Sequence, residues 1–194
     1  MVRNLLIKSI ALVVTLTVTS PIVQAQEKPW KVVGVGSGTE GFSLSGEDSP
    51  FEVTGNSSLL GRYSGDGVAK AISFNPKTLS GTFHGTYTFV AANGDELATT
   101  FGADEPGRLG EYFAIPAEDG LARIMFVAEF NPVPNESTGR FEKVTDGSIV
   151  LVAISEPIIP VPDDEGFTPP FSFDWSGKGS LKFSKGKGKK KKKK

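Results

Sequence analysis

Between residues 82 and 90 the chain alternates: Phe83, Tyr87 and Phe89 fall on one side of an extended strand, and Thr82, His84, Thr86 and Thr88 on the other. Asn93-Gly94 follows, two residues tolerant of positive φ as a type I′ turn requires. Residues 95–103 then return with Leu97, Thr99 and Phe101 in alternation. A period of two with turn chemistry at its centre specifies an antiparallel hairpin, and the rest of the chain must be compatible with it.

No segment offers a competing helical pattern. Gly 23 and Pro 13 of 194 residues are spread along the chain, and the stretches between them are short and alternate in polarity. Further strands are expected at 30–35, 41–45, 57–63, 68–74, 111–115, 122–130, 147–154 and 171–183. Breaks are expected at Asn75-Pro76, Asp104-Glu105-Pro106-Gly107, Asn131-Pro132-Val133-Pro134-Asn135 and Asp146-Gly147. Eight to ten short strands without crossover helices predict an all-β fold, an antiparallel closed β-barrel of about eight strands, with a β-sandwich as the alternative. The barrel is favoured because closure removes exposed edges. Residues 156–170, rich in proline and acid, cannot donate to a ladder and are expected as a long loop before the last strand.

Composition narrows the chemistry. Cys 0 removes disulfides, thiol nucleophiles, thiolate metal sites and a lipid-modified cysteine, and a single histidine leaves most His-dependent triads without parts. Neither a catalytic set, nor a metal site, nor a cofactor motif is predicted. The acidic clusters Asp104-Glu105, Glu118-Asp119 and Asp163-Asp164-Glu165 lack the spacing of a calcium loop. Gly34-Val35-Gly36-Ser37-Gly38 lacks the helix and lysine of a phosphate loop.

The first 25 residues read as a secretory signal: Arg3 and Lys8, an apolar run over 10–18, Pro21, and Val23-Gln24-Ala25 before Gln26. The run is far below the roughly 20 apolar residues of a membrane span. The expected product is a secreted protein, periplasmic or extracellular, with one domain over 26–184 and a tail over 185–194. The formal net charge of −1 conceals an asymmetry: residues 178–194 hold ten lysines and no acid, whereas residues 26–177 carry −13. Lys185, Lys187, Lys189, Lys190, Lys191, Lys192, Lys193 and Lys194 form a segment suited to anionic polymers or membrane surfaces through counterion release, without sequence-specific nucleic-acid recognition. A purely solubilising tail is the alternative.

Several phrases occur in an informative order: Leu60-Gly61-Arg62-Tyr63, then Gly85-Thr86-Tyr87-Thr88-Phe89-Val90-Ala91-Ala92-Asn93-Gly94-Asp95-Glu96-Leu97, then Ser137-Thr138-Gly139-Arg140-Phe141, then Phe173-Asp174-Trp175-Ser176-Gly177-Lys178-Gly179. This order, over roughly residues 55–183, resembles the secreted bacterial allene oxide cyclase-like β-barrel proteins, mostly of unassigned activity. Glu142-Lys143-Val144-Thr145-Asp146-Gly147, the Pro-rich loop and the lysine tail depart from that pattern. The resemblance implies an eight-stranded antiparallel barrel, similar to lipocalins, with a central cavity. Plant members isomerise a fatty-acid epoxide inside it.

Two functions follow as expectations: a non-catalytic exported barrel that binds a small apolar or amphipathic ligand or a partner surface, or an isomerase or cyclase acting on a lipid-like substrate in the cavity. Three side chains are candidates for ligand contact. His84 is the one imidazole, a general base only if a partner lies within hydrogen-bond reach, and otherwise a surface or lining residue. Arg62 and Arg140 lie in the family-like phrases, where a guanidinium either holds a ligand carboxylate or pairs with an acid and covers its aromatic neighbour. Oligomeric state is left open. What separates the two functions is the lumen, open with convergent polar groups or filled by side chains.

Overall fold

Alternation of apolar and polar residues builds nine strands in the computed structural model, which describes residues 25–158 and 168–184. They are β1 (Gln26–Gly38), β2 (Ser49–Ser57), β3 (Gly61–Asn75), β4 (Ser80–Ala91), β5 (Glu96–Gly102), β6 (Gly110–Pro116), β7 (Ala122–Pro132), β8 (Val144–Ser155) and β9 (Phe171–Phe183). Among the described residues the helical content is confined to single 3-10 turns at Glu118–Gly120 and Gly139–Phe141. Most of the expected signal segment, residues 159–167 of the Pro-rich loop and the lysine tail at 185–194 lie outside the described residues.

All pairings are antiparallel, in the order β3-β2-β1-β9-β8-β7-β5-β4, and β4 pairs back onto β3 to close an eight-stranded barrel. The sandwich alternative is thereby excluded. The ninth strand, β6, is an extra one. It pairs with β4 over residues 80–82 and with β7 over 122–128, and so continues the lane that β5 occupies farther along β4.

Several local expectations are corrected. Residues 41–45 form a loop with one bridge at Ser43, and the strand expected at 57–63 is instead the end of β2, a turn at 58–60 and the start of β3. Asp146-Gly147 lies within β8, at a bulge opposite Leu181 and Lys182, and β7 runs through Pro132 before the chain breaks. The β4–β5 turn is not a two-residue type I′ turn. Ala91 pairs with Asp95 through its N–H at 2.9 Å, and the Gly94 N–H returns to the Ala91 carbonyl at 2.8 Å. This is a three-residue connection in which Gly94 alone takes positive φ, 82°. The register therefore moves by one, and His84 faces Gly102 instead of Ala103.

The inward row is aromatic. Trp30, Tyr63, Tyr87, Phe89, Phe101, Phe130 and Trp175 are all at most 4% exposed. Tyr87 meets Phe89 edge-on at 4.6 Å and Trp175 at 5.0 Å, and Phe101 stacks on Phe130 at 4.5 Å. Rings this large fit because glycines face them. At Gly34 a Cβ would stand 2.6 Å from the Tyr63 hydroxyl and 2.7 Å from the Trp175 indole nitrogen.

The two ends of the barrel differ. Gln26 pairs with Phe183 and Gly38 with Phe171, so the described chain enters and leaves at one end, sealed by buried Leu60, Phe141, Val144 and Leu181. At the other end, the described flanks of the Pro-rich loop are pinned. Ile158 exchanges backbone hydrogen bonds with Ala122 at 2.8 and 2.9 Å, and the Thr168 N–H reaches the Phe42 carbonyl at 3.0 Å.

Candidate functional site

At the loop end the aromatic filling stops short of the rim. The chain between β1 and β2 folds back over the opening because its polar groups find partners there. The Phe42 N–H donates to the Thr168 hydroxyl at 2.8 Å and the Ser43 N–H to the Ser49 hydroxyl at 2.9 Å. Those bonds hold the Phe42 ring, 2% exposed, edge-on against Tyr112 and Phe126, each with a centroid separation of 5.1 Å.

Beside Phe42 a cavity of about 70 Å³ opens among Phe51, Phe83, Phe101, Phe126, Phe171 and Phe173. Phe126 and Phe171 stack at 6.1 Å with 13° between their planes and form one wall. Ala69, Ala128 and Ala153 leave the space that larger side chains would take. Among the described residues Ser49 contributes the one polar side chain of the lining, and its oxygen already accepts the Ser43 N–H. Chemically the described lining offers dispersion contacts and desolvation, so it suits an apolar group of a few carbons. A dry cavity of roughly 150 Å³ admits a benzene ring, which sets the scale.

The wider concavity, about 1060 Å³, lies on the outer wall over β9 and β1 to β4 and is open to solvent. Arg62 stands on its rim beside Asn56 and Ser64. Among the described residues no carboxylate lies within ion-pair reach of Arg62.

Arg140 is spent on structure. Its Nε donates to Asp95 at 2.6 Å, one Nη to the Asn93 side-chain oxygen at 2.7 Å, and the other to the Leu59 carbonyl at 3.2 Å, while the guanidinium covers the Phe141 ring at 5.6 Å. The hydrogen bond from Arg140, aided by Asn93, holds the Asp95 carboxyl below its ordinary pKa. This network clamps the β4–β5 turn to the sealed end.

His84 sits half-buried on the outer side of β4, between Lys70 of β3 and Gly102 of β5, with Thr86 and Thr88 on the same face. Arg62 and Arg140 flank the β4–β5 turn, and the Ala92 N–H bonds to the Arg62 carbonyl at 3.1 Å. His84 lies more than ~20 Å along the strand from that turn. The three candidates therefore do not converge, and none lines the cavity. The residues that do line it were not singled out from the sequence. Their signal was the abundance of phenylalanine, 14 in the chain, with Phe171, Phe173 and Trp175 alternating in the last strand. Among the described residues no three His, Asp or Glu side chains are grouped as a metal ion would need.

Comparison with known proteins adds no assignment: no family model, no curated protein and no solved structure matches this chain.

Proposed function

We propose that this protein is an exported, non-catalytic binding barrel that takes the apolar end of a small amphipathic ligand into the mouth beside Phe42, and that its lysine tail attaches it to anionic polymers or membranes. The observation that carries the reading is the cavity of about 70 Å³ walled by eight phenylalanines above a lumen otherwise filled by aromatic rings. Its size fits a short alkyl or branched terminus and leaves a polar head outside, at the rim. Among the described residues its lining offers apolar side chains and one serine whose oxygen is already engaged, which suits binding better than the isomerase that the family resemblance implies. The closed eight-stranded barrel supports the resemblance to secreted allene oxide cyclase-like proteins, and membership in that group is part of the proposal.

The two halves of the reading are compatible in space. β9 runs from Phe171, in the cavity wall, to Phe183 at the sealed end, where the tail begins. Attachment through the tail leaves the mouth pointing away from the anionic surface.

A chain-length series of alkanoates tests the reading. Affinity should rise with each added methylene while the cavity fills, by ~0.8 kcal/mol per buried CH₂, and then level off. Affinity that is absent, or independent of chain length, contradicts it.

A further inference from the structure

The outer wall carries exposed apolar residues on β1 and β8, on either side of β9, whose outward row is Ser172, Asp174, Ser176 and Lys178. Val33 and Val35 are 54% and 58% exposed, and Val150 and Ile154 are each 40% exposed. The register makes them neighbours: Val33 lies beside Ser176, which lies beside Val152, and Val35 lies beside Asp174, which lies beside Ile154. The belt continues onto β7 and β6 through half-buried Val127, Met125 and Phe113. β-branched side chains exposed on two strands that flank a polar, charged one suit a docking surface with its charges at the centre.

The charges around the belt identify the occupant. Lys31 and Lys178 stand directly opposite each other on β1 and β9, an unfavourable like-charge pair, and Asp174 sits four residues from Lys178 on the same strand. Among the described residues none of the three is within ion-pair reach of an opposite charge. A two-fold axis lying in the wall and crossing the strands at Ser176 turns this pattern onto itself. It sets Lys178 of one copy over Asp174 of the other, twice, Val150 over Ile154, and Val33 and Val152 over their own counterparts. The same operation brings the Lys31 ammonium toward the opposing Asp174 and lets its stem cover Val35. Such self-complementarity is what an isologous interface requires.

We infer that the outer face of β1, β9 and β8 is a homodimer interface, with a second copy of this chain packed face to face across Ser176 and held in register by reciprocal Lys178–Asp174 pairs. Three strands by about four side-chain rows cover on the order of 400 Å² per partner, below the size of a stable interface, so the association is weak and transient.

Sedimentation of the purified protein over a concentration series at physiological salt tests this. Wild type should pass from monomer to dimer. Asp174→Lys and Lys178→Asp should each raise the dissociation constant by about ten-fold or more, because each turns two attractions into two repulsions. The double reversal, Asp174→Lys with Lys178→Asp, should restore dimerisation. Circular dichroism and melting temperature establish that each variant folds, since all these side chains are exposed. A wild type that stays monomeric, an oligomer indifferent to the single reversals, as one made by the tail against the acidic body would be, or a double reversal no better than the single ones would each overturn the inference. Binding of the wild type to neutral lipid vesicles in place of dimerisation would overturn it too.

Discussion

The Trp175 indole N–H donates to the Tyr63 hydroxyl at 2.7 Å across the lumen, joining β9 to β3 inside the barrel, and the Tyr63 hydroxyl donates in turn to the Val33 carbonyl at 3.2 Å. Both rings are at most 4% exposed, so the two bonds are made by groups largely withdrawn from solvent. Tyr63→Phe keeps the ring and strands a buried indole N–H, at a cost of about 1–3 kcal/mol. Urea unfolding should show a lowered midpoint with an unchanged slope. An unaltered midpoint would mean that the bond contributes nothing.

Alkaline pH should unfold the barrel cooperatively. The chain has three tyrosines; burial pushes Tyr63 and Tyr112 up to about 12 and pushes Tyr87 up as well, the last assisted by Tyr63 and Asp66. In the unfolded chain they titrate near 10.0. Above that pH the unfolded state releases protons that the folded state retains, so stability is whole below pH 10 and falls as pH rises toward 12. Phenolate absorbance should stay low past pH 10 and then rise together with loss of near-ultraviolet dichroism. Phenolate formation in a protein still folded would contradict the burial of these hydroxyls.

At the β4–β5 turn only Gly94 takes positive φ, and Asn93 is engaged with Asp95 and Arg140. Gly94→Val should therefore destabilise by ~1–2 kcal/mol through backbone strain alone, since open space surrounds the position. Arg140→Ala, which opens an exposed network, should cost less. Thermal melts of the two variants give the order, and the reverse order would assign the turn's stability to the ion pair.

What could be read from the sequence was local. Strand β9 was legible to the residue because Phe171, Phe173 and Trp175 alternate with Ser172, Asp174 and Ser176. Strand β2 was not, because Pro50, Gly55 and Asn56 carry turn propensity that the neighbouring strands override. The β4–β5 register was off by one because Asn93-Gly94 satisfies two turn types, and the bonds from Asn93 to Arg140 and Asp95 select one of them. The cavity was illegible for a different reason. Phe51, Phe83, Phe126 and Phe171 lie far apart in the chain, and only barrel closure brings them together.

The tail prediction is electrostatic. A chain ending at Ser184, whose N–H closes on the Lys143 carbonyl at 2.8 Å, keeps every described strand and should melt with the full protein. Retention on an anionic matrix should be strong and steeply salt-dependent for the full chain and lost in the shortened one, since residues 26–177 carry −13. Equal retention would place polyanion binding on the barrel.

The central claim, an apolar mouth that binds, is tested most directly by calorimetric titration of a short-chain amphiphile into wild type and Ala153→Leu at two temperatures. Ala153 lies in the cavity lining, and leucine there fills about the space available at a stability cost of at most ~1–3 kcal/mol. The account predicts saturable binding to wild type with a negative heat-capacity change, the mark of apolar burial, and its loss in the folded variant. Undiminished binding to Ala153→Leu, or no binding to wild type, would contradict it.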